Sequence, residues 1–249
     1  MTNLKEARLK RKPHAVMNLQ SRQLKAMKIQ RILQLHGTDK KLKILEVGTG
    51  SGGIAHYFGT DRDLTCDVVS VDIIDNRKIK EGYQFVKVGG VYLPFKDNSF
   101  DVVITNHVIE HVGTENAQHE HLSELRRVLA PNGIGYLAVP NRWMIVEPHY
   151  KLPFLSWLPV RHRSSFLKMF REQSFYDCEP LEMWKIEQFL DQAGFKYVNV
   201  SIEAAEILYK IENTRYLGLK VYQSFPYSIK RWLRPLMPTL IYRIKKQLN

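Results

Sequence analysis

A glycine-rich loop directly after a short apolar segment is the feature that most limits what this chain can fold into. Residues 43–47 read Lys-Ile-Leu-Glu-Val, which is typical of a buried strand, and residues 48–53 read Gly-Thr-Gly-Ser-Gly-Gly. Glycine lets the backbone turn sharply and approach a ligand closely, and a helix that begins after such a loop offers unpaired N–H groups. The pattern predicts a strand, a ligand-binding loop and a helix in that order.

Strands and helices continue to alternate along the chain, and this alternation indicates the α/β class. We expect a doubly wound, mostly parallel sheet with helices on both faces. The predicted strands cover residues 43–47, 68–72, 100–105, 133–139 and 195–202. The predicted helices cover residues 14–36, 116–129, 163–171 and 179–193.

Composition excludes several classes of protein. The 249 residues are 44% hydrophobic and 11% aromatic, enough for a full core, so the chain is not wholly disordered. Two cysteines, Cys66 and Cys178, exclude a disulfide framework and a zinc cluster of thiolates. No run of 18 apolar residues occurs and the first residues lack a signal-type apolar stretch, so we expect a cytoplasmic protein, soluble or peripheral at the inner membrane face.

The net charge of +12 is concentrated at the two ends. Residues 1–43 hold 12 Lys and Arg against 2 Asp and Glu, and residues 213–249 hold 8 against none. We therefore divide the chain into a basic helical segment (1–40), a central domain (41–210) with an insertion at 140–178, and a basic aromatic tail (211–249). Basic ends suit an anionic partner, either a membrane surface or, less readily, a nucleic acid.

The loop pattern alone leaves two kinds of ligand open. Gly48, Gly50 and Gly53 satisfy G-x-G-x-x-G, with Asp72 about 20 residues later, which permits a dinucleotide. Glu46 argues against one, because a carboxylate facing the ligand is poorly placed for a pyrophosphate and well placed for an amine or sulfonium. Two structural alternatives also stand: Glu46 could be satisfied by loop N–H groups, and Asp72 could cap its strand.

Four segments, in order and with consistent spacing, carry a resemblance to a known family. They are Ile44–Gly53, Val68–Asp72, Leu93–Val112 and Leu125–Pro140. Together they resemble the class I S-adenosylmethionine-dependent methyltransferases, in particular the ubiquinone- and menaquinone-biosynthesis group of the type 11 methyltransferases. The resemblance implies a Rossmann-like sheet of seven strands, methyl transfer as the activity and S-adenosylmethionine as the cofactor.

The resemblance also implies roles for individual residues at the cofactor. The methionine part would lie along Glu46 and the glycine loop, with Asn106 and His107 flanking it and the transferable methyl group. Asp72 would accept the ribose hydroxyls and Ile73 would lie against the adenine. The implied cofactor residues are Glu46, Gly48, Gly50, Gly52, Asp72, Ile73, Gly90, Val91, Asn106 and His107.

One position departs from the family pattern. The family has Gly-Asp-Ala before a Leu-Pro-Phe segment, where the Asp bonds the adenine amino group, but this chain has Gly89-Gly90-Val91. We expect adenine recognition to rest on backbone groups. A lost acceptor of this kind costs about 1 kcal/mol, or about fivefold to tenfold in affinity.

Histidines are the candidate general bases, because their ordinary pKa lies near neutrality. We single out His149, in Val146-Glu-Pro-His-Tyr150, and His111, which follows His107 by four residues. A metal-assisted alternative rests on a resemblance to the Glu-x-x-Glu-His segment of 3′-terminal RNA 2′-O-methyltransferases, and it would use His107, Glu110, His111 and His149 as ligands. This chain has His107 in place of the first Glu of that segment, so we assign no metal.

The acceptor is expected to lie against the insertion, whose aromatic residues suit a sugar, an aromatic ring or an isoprenoid and whose arginines suit a phosphate or carboxylate. We therefore expect O-methylation of a small or lipid-linked acceptor, with a glycan among the candidates. Two other functions stay open: RNA methylation guided by the basic ends, and a non-catalytic interaction protein that binds the cofactor.

Overall fold

Seven strands of the chain form one mixed sheet. The structure is a computed structural model and describes residues 18–36, 40–147, 150–170, 176, 178–212 and 217–247. Within these residues the strands are β1 (Leu42–Val47), β2 (Cys66–Asp72), β3 (Gln84–Lys87), β4 (Phe100–Asn106), β5 (Leu129–Pro140), β6 (Val146–Glu147), β7 (Leu152–Pro153), β8 (Phe195–Asn199) and β9 (Thr239–Lys246). Strands β6 and β7 pair separately as a hairpin.

The order of the seven strands is β3-β2-β1-β4-β5-β9-β8. Strands β1 to β5 pair in parallel, whereas β9 is antiparallel to both β5 and β8. The expected doubly wound, mostly parallel sheet of seven strands is confirmed. Because the chain order reverses between β1 and β4, the ends of these two strands form a crevice of the kind in which open α/β sheets bind ligands.

Helices cover both faces of this sheet. Side chains alternate along the central strands, so that Ile44 and Val102 enter one core and Leu45 and Val103 enter the other. The helices are α1 (Leu19–Leu33), α2 (Gly53–Thr60), α3 (Glu115–Val128), α4 (Val160–Phe170), α5 (Met183–Gln192), α6 (Ser201–Glu212), α7 (Leu217–Ser224) and α8 (Tyr227–Leu233). Helices α1, α2 and α6 contribute to the first core, and α3 and α5 to the second.

The last strand corrects the expected C-terminal tail. Residues 239–246 lie inside the sheet, between β5 and β8, rather than in a basic tail outside the domain. Leu240, Tyr242 and Ile244 alternate onto one core, while Ile241 enters the other. This period-two pattern is that of a buried strand, which the neighbouring Arg and Lys residues obscure in the sequence.

The N-terminal boundary at residue 40 also differs from the structure. Ala26, Ile29 and Ile32 of α1 are fully buried in the same core as Ile44 of β1, so this helix is a structural part of the domain. Residues 1–17 of the expected basic segment lie outside the described residues.

Two smaller differences concern the strands. The sequence did not predict β3, and the predicted strand 195–202 ends at Asn199 because α6 begins at Ser201.

The insertion between β5 and α5 has a small core of its own. Tyr150, Leu152, Leu155, Leu167, Tyr176 and Cys178 form this buried cluster. Asn141, near the start of the insertion, joins it to the C-terminal segment, because the Asn141 Nδ2 group donates hydrogen bonds to the carbonyls of Pro235 (2.6 Å) and Met237 (2.8 Å). The insertion and the segment after α8 are therefore neighbours.

In the part of the chain that the structure describes, none of the helices is both long enough and apolar enough to span a bilayer.

Candidate functional site

The carboxyl ends of β1, β2 and β4 bring the glycine loop, Asp72 and Asn106 to one edge of the sheet. Val47 of β1 is in register with Val71 of β2 and with Thr105 of β4, and the next residue of each strand or loop lies at this edge. Parallel pairing therefore assembles, from three separate parts of the sequence, most of the residues expected at the cofactor.

The glycine loop has the backbone conformation that its composition predicts. Gly48, Gly50 and Gly52 have φ angles of +87°, +53° and +83°, in the region that favours glycine. The Gly48 N–H donates to the Val71 carbonyl at 2.9 Å, and a Cβ at this position would overlap Val108. The loop is held against β2 and leads directly into the N-terminus of α2.

Asp72 is hydrogen-bonded to the glycine loop, and its carboxylate can accept further hydrogen bonds from a ligand. Its Oδ2 atom accepts a hydrogen bond from the Gly50 N–H at 2.9 Å, and its Oδ1 atom accepts one from Ile74 at 3.4 Å. Each carboxylate oxygen can accept a second hydrogen bond, as two ribose hydroxyls would require. The neighbouring Ile73 side chain is 44% exposed, so its surface is available to an adenine ring.

Glu46 differs from the expectation that its carboxylate faces the ligand. The residue is only 3% exposed, and its Oε2 atom accepts a hydrogen bond from the Ala55 N–H of α2 at 3.1 Å. Alternation along β1 is the reason, because it directs Glu46, like Ile44, toward the face covered by α1 and α2. Burial raises the pKa of Glu46 to about 8, against the opposing effect of the Arg22 charge.

Three polar atoms near the edge are buried without a hydrogen-bond partner among the described residues. They are Oγ of Ser51, Oγ1 of Thr49 and Oδ1 of Asn106. Buried polar atoms are usually satisfied, so such a group marks a place where a ligand or water binds. Acceptors beside a glycine loop fit the amino group and hydroxyls of S-adenosylmethionine, and the residues present are therefore compatible with that cofactor.

The segment after β4 places two histidines around a buried carboxylate. Oε1 of Glu110 lies 3.4 Å from Nδ1 of His107 and 3.8 Å from Nε2 of His111, and the Glu110 side chain is fully buried. Burial alone would raise the pKa of Glu110, but the hydrogen bond from His107 and the charges of both imidazoles outweigh it and lower that pKa. His107 and His111 each keep about a fifth of their side-chain surface exposed.

Backbone conformation sets His107 apart from its neighbours. Its φ angle is +58°, which is uncommon for a residue with a side chain, and its N–H donates to the Ala138 carbonyl at 2.9 Å. Backbone strain of this kind persists where the surrounding structure fixes it, and it is concentrated at functional sites. The parallel pairing of β4 and β5 is what holds this residue at the edge.

His111 connects the site to the insertion. Its Nδ1 atom lies 3.8 Å from Sγ of Cys178, and the Glu110 carbonyl accepts a hydrogen bond from the Glu179 N–H at 2.9 Å. The insertion is therefore fastened beside the histidine pair. His149, the other candidate base, lies outside the described residues.

Gly90 and Val91 are the residues that the family resemblance places beside the adenine. They follow β3, where the Val88 N–H donates to the Asp72 carbonyl at 3.0 Å. A Cβ built on Gly90 would meet no atom within 4 Å. The position expected to carry a carboxylate is thus open, with room for a side chain.

Sequence reasoning missed the contribution of Arg22 and the separate importance of Glu110. Arg22 of α1 packs against Gly53 and acts electrostatically on Glu46, a contact between distant segments that no local pattern indicates. Glu110 did have a signal in the sequence, since it follows His107 by three residues and precedes His111.

Among the described residues, no group of three or more His, Cys, Asp or Glu side chains is arranged to hold a metal ion.

Comparison with protein families gives a match to the model described as "Methyltransferase domain" over residues 45–137. This segment contains the second half of β1, all of β2 and β4, and most of the residues discussed above.

Two curated relatives match overlapping parts of the chain. The ubiquinone biosynthesis O-methyltransferase of Rickettsia canadensis is 31% identical over 157 residues, which are 56% of this chain and 62% of that protein. A Mus musculus protein named "Probable tRNA methyltransferase 9B" is 32% identical over 92 residues, 36% of this chain and 20% of that protein. The matches thus span less than two thirds of these relatives.

Among solved structures, the CurJ carbon methyltransferase aligns with a TM-score of 0.55 and 14% identity, over 91% of this chain and 54% of that one. At this identity the similarity concerns the fold alone, and it extends over the aligned 91% of the chain.

Proposed function

Because residues 45–137 belong to the methyltransferase domain family, we propose that this chain transfers a methyl group from S-adenosylmethionine to a hydroxyl oxygen of a small or lipid-linked acceptor. A glycan is one acceptor of that description. The observation that carries the proposal is the contact between the glycine loop and Asp72, with unpartnered acceptor atoms beside it.

S-adenosylmethionine, when bound, supplies an activated methyl group on a sulfonium. In this proposal Asp72 binds the ribose hydroxyls, Ile73 lies against the adenine, and Asn106 Oδ1 accepts from the amino group. Glu46 takes no direct part, and instead fixes α2 beneath the loop through Ala55. The residues of the edge thereby orient the donor and exclude water, which are the main tasks in methyl transfer.

A hydroxyl acceptor must also lose a proton, and we assign that task to His107. Glu110, 3.4 Å from Nδ1, favours the tautomer that donates from this nitrogen, so Nε2 is the atom that takes the proton. The assignment replaces the two bases that the sequence indicated, His149 and His111, with the residue that has the strained backbone. His111 acts as a positioning residue between Glu110 and Cys178.

Cofactor binding is the first experiment. We expect calorimetry to give micromolar binding of S-adenosylmethionine by the wild type and none by Asp72→Ala, because the ribose hydroxyls lose their acceptor. Asp97→Ala, which removes an exposed carboxylate that pairs with Arg127, is the matched control and should bind normally. Absence of binding by the wild type contradicts the proposal.

Turnover then tests the assignment of the base. With an acceptor found by methyl transfer from labelled cofactor, His107→Asn should lower kcat by about 100-fold or more while cofactor affinity stays the same. His111→Asn should affect kcat less. An equal loss in the two variants, or a lower kcat in His111→Asn alone, would remove His107 from this role.

RNA methylation is the second candidate, and the match to the mouse tRNA methyltransferase together with the net charge of +12 favours it. It predicts RNA binding that weakens steeply as salt rises, since each phosphate contact releases a counterion. Methyl transfer to a small acceptor in the absence of RNA would argue against this candidate.

A further inference from the structure

The insertion carries a continuous exposed apolar surface, which we call the hairpin patch: Ile145, Val146, Pro153, Phe154 and Trp157. Val146 pairs with Pro153 across β6 and β7, and the Phe154 N–H donates to the Ile145 carbonyl at 2.7 Å. The rings of Phe154 and Trp157 lie 5.1 Å apart. The pairing thus sets Val146 beside Pro153, and the hydrogen bond sets Ile145 beside Phe154, whose ring contacts Trp157.

The patch is exposed to a degree that ordinary surfaces rarely show. Ile145 is 62% exposed, Val146 51%, Phe154 50% and Trp157 39%. Isolated apolar residues on a surface need no explanation, but adjoining ones that include two aromatic rings mark a site of interaction. The insertion already buries a core of its own, so these residues are additional to what its folding requires.

Charge around the patch is of one sign. Residues 141–170 contain five Lys and Arg and one acid, Glu147, which is 1% exposed. Lys151 and Arg161 are both exposed, and they lie two residues before Pro153 and four residues after Trp157 in the chain. Arg163 is buried and Arg142 pairs with Glu182, so the exposed cations Lys151, Arg161 and Lys168 are the ones that accompany the aromatic and aliphatic side chains, while Glu147 is turned inward.

Further exposed apolar side chains lie on an element that neighbours the insertion. Asn141 holds the insertion against the segment after α8, where Leu236 is 51% exposed, and Trp232 of α8 itself is 76% exposed. On the other side, the Cys178 contact with His111 fastens the insertion to the proposed catalytic edge. The element that carries the patch is thus the one that contacts the proposed catalytic edge.

We infer that the hairpin patch docks this protein on an anionic phospholipid bilayer. Trp and Phe prefer the interface between headgroups and acyl chains, and cations beside them are attracted to anionic headgroups. The inference deepens the proposed function, on which it rests for one point only: an acceptor carried by a lipid would reach the site from this surface. It places the membrane contact on the insertion, whereas the sequence indicated the basic ends.

Vesicle sedimentation tests the docking directly. The full chain is mixed with vesicles of phosphatidylcholine alone or of phosphatidylcholine with phosphatidylglycerol, and the bound fraction is measured. We expect binding to the anionic vesicles, with a shift of tryptophan emission to shorter wavelength as Trp157 leaves water. No binding of the wild type to anionic vesicles overturns the inference.

Two matched substitutions separate the patch from general effects. Val146→Asp should lower the partition coefficient about tenfold or more, because it removes apolar area and places a carboxylate against anionic lipid. Val198→Asp makes the same change of charge at a residue of β8 that is similarly exposed, 53%, and should change the coefficient little. Equal losses in both variants would overturn the inference.

Phe154→Asn is a second variant that removes an aromatic ring without a backbone penalty, since Phe154 has a φ of +58° and Asn tolerates that region. It should also reduce vesicle binding.

Cofactor affinity, measured on each variant, shows that the domain is folded. Since vesicle binding requires no methyl transfer, failure of docking with intact cofactor binding rejects the inference alone, and failure of cofactor binding rejects the proposed function alone. A patch buried in a dimer of the free protein, seen as a doubled mass in sedimentation together with no vesicle binding, would overturn the inference.

Discussion

At the scale of single residues, the adenine side of the edge offers a direct way to change cofactor affinity. A Cβ at Gly90 meets no atom within 4 Å, and Gly90 is not among the glycines with positive φ, so Gly90→Asp introduces a carboxylate without strain. We expect about fivefold tighter binding of S-adenosylmethionine, because the family resemblance puts an adenine-bonding carboxylate at this position.

Gly89→Asp provides the control for this prediction. Its Cβ also meets no atom within 4 Å, so it adds the same charge at the neighbouring position. Calorimetry on both variants distinguishes a specific hydrogen bond from an electrostatic attraction to the sulfonium. Equal tightening in the two variants, or no tightening by Gly90→Asp, would contradict the prediction.

Residues differ in how far the sequence could predict them. The glycine loop and Asp72 were predicted at the correct edge because each follows a strand, and parallel strands end together. The orientation of Glu46 was not, because it depends on helices α1 and α2 covering one face of β1, and α1 comes from a distant segment. The Glu110 contacts with both histidines depend likewise on a turn whose conformation the spacing alone does not determine.

At the scale of elements, β9 is the strongest test of the structure. Tyr242 is fully buried between β5 and β8, and its hydroxyl donates to Oε1 of Glu187 at 3.1 Å. Tyr242→Ala should lower the free energy of unfolding by about 3–5 kcal/mol, the usual cost of removing a large aromatic side chain from a core.

Urea unfolding followed by circular dichroism measures this change. Tyr227→Ala is the matched control, because Tyr227 lies in α8 of the same C-terminal segment and is 68% exposed. We expect the control to change stability by about 0.5 kcal/mol or less. Similar small losses in both variants would mean that residues 239–246 are a peripheral tail after all.

The same element shows where prediction from sequence stops. Strands β1 and β4, in which apolar residues predominate, were predicted at nearly their observed bounds. In β9, the cationic residues Arg243 and Lys245 flank the buried Ile244, so its sequence alone resembles an interfacial tail. Only its pairing with β5 and β8 shows that it is a buried strand. Strand β3 is four residues long and none of its residues is fully buried, so its sequence shows little of the hydrophobic pattern by which strands are predicted.

At the scale of the whole molecule, two buried groups make stability depend on pH in opposite directions. Burial raises the pKa of Glu46 to about 8, from 4.5 in the unfolded chain. Its contribution to the free energy of unfolding is therefore complete below pH 4.5 and is lost as the pH rises toward 8. His121 has its pKa lowered to about 4, also by burial, so stability is lost as pH falls from 6.5 toward 4.

Glu46→Gln isolates the first of these effects. Between pH 6.5 and 8 the wild type should lose up to about 1 kcal/mol of unfolding free energy per pH unit relative to this variant, because ionised Glu46 is poorly accommodated in the core. Urea midpoints measured across this range, with identical buffers, give the difference. Parallel curves for the two proteins would show that the pKa of Glu46 is not raised in the folded state.

The position of β9 also imposes an order on biosynthesis. The strand that pairs with one edge of β5 is encoded almost 100 residues after it, and β8 has no other partner in the sheet. A nascent chain on the ribosome therefore displays an open edge on β5, and an unpaired β8, until residue 246 has emerged. Open edges recruit other strands, so we expect this late closure to leave the growing polypeptide prone to mispairing at that edge during translation.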